Sequence, residues 1–62
     1  MSDQEIKKLL NGIPADKKEV GRTGLELGYF NEQDIDYIKK DTTSLFEAEK
    51  LLTTRRLEQA AY

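Results

Sequence analysis

The chain has 62 residues, no cysteine, no histidine and a formal net charge of −2. This composition excludes disulfide bracing and thiolate or imidazole ligation of a metal, removes the usual general base, and lacks the basic excess of a nucleic-acid binder. A domain this small buries only about 60% of its unfolded surface, so its stability must come from apolar packing, helped by self-association.

One domain, residues 1–62, is the expected organisation. No apolar run approaches the roughly 20 residues of a membrane span. The start, "MSDQEIKK", lacks the positive-then-apolar order of a signal peptide, so an intracellular, cytoplasmic protein is expected. Hydrophobic residues are spread along the whole length, which argues against disorder.

The first helix is expected over 3–12. "SDQE" reads as a capping box with Ser2 as cap and Glu5 reaching back. Ile6, Leu9, Leu10 and Ile13 recur at helical spacing, and Asn11-Gly12 followed by Pro14 is a stop.

A second helix is expected over 16–27, with Asp16 as its cap. Gly21, Gly24 and Gly28 fall within about 60° on its wheel, between Val20 and Leu27 on one side and Leu25 on the other. A glycine costs a helix interior about 1 kcal/mol relative to alanine, so Gly21 and Gly24 predict close packing of another helix on this backbone. Gly28 reads as a left-handed C-cap.

The third helix, 32–40, is capped by Asn31 with Asp34 three residues on. Phe30 and Ile35 are placed for a hydrophobic staple across that cap. Ile35, Ile38 and Thr42 share a face, and Tyr37 points away from the isoleucines. The fourth helix, 45–60, is the longest and opens on a second capping box, Ser44 to Glu47. Leu45, Ala48, Leu51 and Leu52 make its stripe. Arg55 and Gln59 interrupt the continuation, and Phe46 and Leu57 lie on another side. The fold class is therefore all-α: a compact bundle of three to four short helices with a helix-turn-helix-like corner and a longer C-terminal helix.

Four motifs bear on function. Residues 25–40, "LELGYFNEQDIDYIKK", have the outline of a helix-turn-helix, a motif that unrelated proteins share. Its second helix begins with Glu32, Asp34 and Asp36, where base edges and a phosphate array would be met, so an ordinary helix corner is favoured over DNA binding. The same carboxylates resemble a calcium loop only in outline. The sixth and twelfth positions counted from Asp34 are Lys39 and Leu45 instead of glycine and glutamate. "KKEVGRTG" lacks the order of a phosphate loop; Lys17, Lys18 and Arg22 read as a solvated face or a small basic patch. Finally, the spare aromatics and the second side of the last helix suggest a contact surface.

The expectation is a small helical regulator, inhibitor or adaptor that is not an enzyme, uses no cofactor or metal, and binds another protein or a second copy of itself through its C-terminal helix. Phe46, Leu57 and Tyr62 are the expected anchors, with Tyr37 beside them and Arg55 and Arg56 as rim charges. The alternative is a DNA-binding regulator that places Lys17, Lys18 and Arg22 on phosphates.

Overall fold

Residues 2–60 are described by the computed structural model. They form α1 (Asp3–Leu10), α2 (Ala15–Glu26), α3 (Glu32–Lys39) and α4 (Leu45–Ala60), with no strand among the described residues. The chain is all-α.

Side-chain caps set three of the four helix starts by satisfying amides that have no partner within the helix. The Ser2 hydroxyl accepts from the Glu5 amide at 3.3 Å. Asn31 accepts from the Asp34 amide at 3.0 Å, and the Asp34 carboxylate accepts from the Asn31 amide at 3.1 Å. Ser44 and Glu47 make the same reciprocal pair at 3.1 and 3.3 Å. The start of α2 differs from expectation: Pro14 occupies the cap position without a side-chain bond, and Asp16 falls inside the first turn. Pro14 stays outside the helix with an extended ψ of 145, and the helix begins at the next residue, one ahead of the aspartate.

Two helix ends are set by glycines. α1 stops at Leu10, two residues early, because Gly12 turns left-handed at φ +90 and the Ile13 amide returns to the Leu10 carbonyl at 3.1 Å. Ile13 is nonetheless buried, reaching the core from outside the helix. Beyond α2, Gly28 has φ +78, and the amides of Tyr29 and Gly28 bond the carbonyls of Gly24 and Leu25 at 2.8 and 3.2 Å. This is a Schellman ending, with Gly28 in its left-handed position. The turn carries Leu27 outward. It is 59% exposed and does not belong to the buried face expected of it.

α2 is the centre of the packing and touches each of the other three helices. Its inner side runs through Lys17, Val20, Gly21, Gly24 and Leu25. A Cβ on Gly21 would lie 3.1–3.3 Å from methyl carbons of Leu10, Ile13 and Ile38, so three elements converge there. Gly24 is tighter: a Cβ would sit 2.6 Å from Cε2 of Phe30 and closer still to other ring atoms. The close approach at Gly24 is therefore made by an aromatic ring from just beyond the Schellman turn, and not by the backbone of another helix. Phe30 and Ile35, the expected staple, are both buried, as are Ile6, Leu10, Ile38 and Ala48. Thr42 is exposed, and it is Thr43 that turns inward.

Gly24→Ala forces the Phe30 ring to shift and is expected to destabilise by about 1–3 kcal/mol, as overpacking does. Gly21→Ala, which meets only the flexible ends of aliphatic side chains, should lose less. Chemical denaturation of both variants checks this ordering, and a higher midpoint for Gly24→Ala would refute the close approach.

Candidate functional site

The side of α4 that faces the body is continuous from Leu45 through Ala48 and Leu52 to Arg55. Ala48 is buried and the leucines are half-buried. Arg55 does not interrupt this stripe; it completes it with a charge. Its guanidinium meets Asp34 through Nη2 at 2.9 Å and Nε at 3.2 Å, while Nη1 meets Glu58 at 2.8 Å. The hydrogen bonds to Asp34 and then to Glu58, aided by the negative charge of Asp34, push the Arg55 pKa above its ordinary value, and the group stays charged throughout the ordinary pH range. Asp34 is buried and has no spare oxygen, since its other carboxylate atom accepts from the Asn31 amide. The pair thus ties the N-terminal turn of α3 to the middle of α4.

The opposite end of α3 is held by a second buried charge. Lys17 is 3% exposed, and its ammonium donates to the carbonyls of Lys40 at 2.7 Å and Thr43 at 2.6 Å. Those carbonyls lie at and just beyond the negative end of the α3 dipole, where a cation is favoured. The Thr43 hydroxyl adds a 2.8 Å bond to the Tyr37 carbonyl. Lys17 therefore belongs neither to a solvated face nor to a basic patch, and it is unavailable to phosphates.

The outward side of α4 is different. Phe46 is 73% exposed and Leu57 is 61% exposed. At 100° per residue Phe46 lies about 160° around the helix from Ala48, almost opposite the core. Tyr37, 40% exposed, shares a surface hollow with Phe46, Glu47, Lys50, Leu51 and Thr54. On the other border Leu27 and Tyr29 line a smaller hollow with Thr53 and Arg56. Every large hydrophobic exposed among the described residues lies on this side of α4 or along its borders. Of the residues singled out in the sequence, Tyr37 and Phe46 share one hollow, Arg56 lines the other, and Leu57 stands exposed farther along the helix. Arg55 is turned to Asp34 and Glu58, and Tyr62 lies outside the described residues. Leu27 was missed; its position at the turn into Gly28 was the available signal.

Other charged groups are placed elsewhere. Lys7, Lys8, Lys18 and Arg22 line an open hollow between α1 and α2 with Gln4 and Asn11. Glu32 and Asp36 are exposed, and no three carboxylates among the described residues are grouped to hold a metal ion. No described helix is long and apolar enough to cross a membrane. No known protein family, curated protein or solved structure matches the chain.

If the Asp34–Arg55 pair joins α3 to α4, Asp34→Asn and Arg55→Met should each lower the thermal midpoint, and the double variant should lose clearly less than the sum. Groups sharing one interaction are non-additive. Additive losses would mean the two residues act separately. Asn31→Ala, which removes the cap alone, is expected to cost about 1 kcal/mol in the same assay.

Proposed function

We propose that this chain is a small helical docking protein, a regulator, inhibitor or adaptor without catalytic chemistry of its own, which engages a protein partner through the outward side of α4. What supports the reading is the exposure of Phe46 and Leu57 on a helix whose opposite side is already committed to the core. Aromatic side chains are favoured anchors because they supply large contact area, and an exposed apolar side on a stable helix suits recognition in a partner's groove. Tyr37 widens the surface beside Phe46. Arg56 takes the role of rim charge, which orients a partner more than it adds affinity. Arg55 is turned away from this surface, because its guanidinium is held by Asp34 and Glu58.

The double change Phe46→Ser with Leu57→Ser should leave helicity and the thermal transition intact while abolishing association. Circular dichroism with affinity capture reads both effects. Loss of helicity would mean that these residues stabilise the fold.

DNA is the contrasting partner. With Lys17 buried and Glu32 and Asp36 exposed on α3, labelled duplex should bind no better than nonspecifically at physiological salt. Submicromolar affinity that falls steeply with salt would overturn the docking reading.

A further inference from the structure

Four of the 10 basic side chains meet at one hollow between α1 and α2. Lys7 and Lys8 come from α1, Lys18 and Arg22 from α2, and the side-chain amides of Gln4 and Asn11 complete the rim. Spacing puts them there. Gln4, Lys7, Lys8 and Asn11 recur at three and four residues along one side of α1, and Lys18 and Arg22 are four apart on α2. Buried Leu10 closes the floor. No carboxylate lines the hollow, and none of its four cations makes an ion pair among the described residues. The chain as a whole carries −2, so this concentration does not follow from its overall charge.

Helix physics accounts for only half of the cluster. Lys7 and Lys8 stand in the last turn of α1, where a cation suits the negative end of the dipole. Lys18 stands in the first turn of α2, at the positive end, and Arg22 follows at the spacing that sets like charges side by side. Both then meet two more cations across the hollow. Lys17 shares that first turn, but its ammonium is bonded to the Lys40 and Thr43 carbonyls; Lys18 is exposed and has no such return. An anion from outside the chain relieves this repulsion. We infer that the hollow binds the diphosphate group of a small molecule, a role separate from the outward side of α4.

Size and neighbours fix the class of ligand. The hollow has a volume of about 450 Å³, within the range of small-molecule sites. Lys18 and Arg22 are about 6 Å apart along α2, so two linked phosphoryl groups can be met together. Guanidinium binds phosphoryl oxygens in bidentate fashion and ammonium as a point charge, while the two amides supply further donors. A longer polyanion fits badly. The adjoining hollow, which shares Lys7 and Arg22, is lined by Asp3 and Glu26. A nucleic-acid strand following the groove past Arg22 would run onto those carboxylates.

Nuclear magnetic resonance of the isotope-labelled full chain, titrated with inorganic pyrophosphate at physiological salt, tests this. Amide resonances of residues 4–11 and 18–22 should move together and saturate at one ligand per chain. Lys18→Gln with Arg22→Gln should weaken binding by about tenfold or more. With the repulsion relieved, that variant should also keep or raise the thermal midpoint without ligand. Lys40→Gln with Lys50→Gln removes the same charge from exposed positions elsewhere and should bind as the unaltered chain does. A nucleoside diphosphate then distinguishes the sources: tighter binding than pyrophosphate identifies a nucleotide, and equal binding identifies the diphosphate alone. No saturable shift at millimolar pyrophosphate, or equal weakening by the Lys40 and Lys50 pair, overturns the inference. So does a short single-stranded oligonucleotide that binds more tightly than pyrophosphate.

Discussion

The packing depends on α2 having almost nothing at the middle of its inner side. With hydrogen at Gly21 and Gly24, side chains from three directions reach the backbone of this helix, and each fills space that a Cβ would take. Two glycines cost roughly 2 kcal/mol of helix propensity. Full burial of a residue such as Phe30 returns about 1.5–3 kcal/mol, and Leu10, Ile13 and Ile38 settle against the same surface. A chain of 62 residues cannot build a thick core, so it draws its elements close to a thin one.

The consequences run outward from that choice. α3 is only eight residues long and offers two fully buried side chains, Ile35 and Ile38. Its ends are fixed by charge: Asp34 meets Arg55 from α4 at one end, and Lys17 from α2 meets the carbonyls of Lys40 and Thr43 that follow the other. A lone buried charge would be strongly unfavourable, but each of these has its partners in place. With one side of α4 pinned by Ala48, Leu52 and Arg55, nothing among the described residues covers Phe46 and Leu57. The surplus apolar surface follows from having four helices and a single core.

Much of this was legible in the residues. The Ser2 cap, the capping boxes at Asn31 and Ser44 and the left-handed Gly28 place most helix ends, because these signals are local. At Ser2 the expected return bond from Glu5 to the backbone amide is not made, and Glu5 meets the Ser2 hydroxyl instead. The outward placement of Phe46 and Leu57 follows from helical spacing alone. The misreadings share a cause. Lys17 stands at the head of the stripe Lys17, Val20, Gly21, Gly24, Leu25, and Arg55 stands at the foot of the stripe Leu45, Ala48, Leu52, Arg55. In both, charge suggested solvent, although the periodicity pointed inward. What decides between those meanings is a partner distant in sequence, the Lys40 and Thr43 carbonyls or the Asp34 carboxylate, which hydrophobic periodicity does not reveal. The occupant of Gly24 was hidden for a similar reason. A bare backbone announces that something comes close, but not that it is a ring folding back across a turn.

The enclosed ammonium of Lys17 gives the molecule an internal clock. Six other lysines lie at or near the surface, where amine-directed reagents reach them directly. Lys17 can react only after its bonds to Lys40 and Thr43 break and the link between α2 and the end of α3 loosens. The rate at which this one amine is labelled therefore measures how often that corner opens, a local excursion distinct from global unfolding.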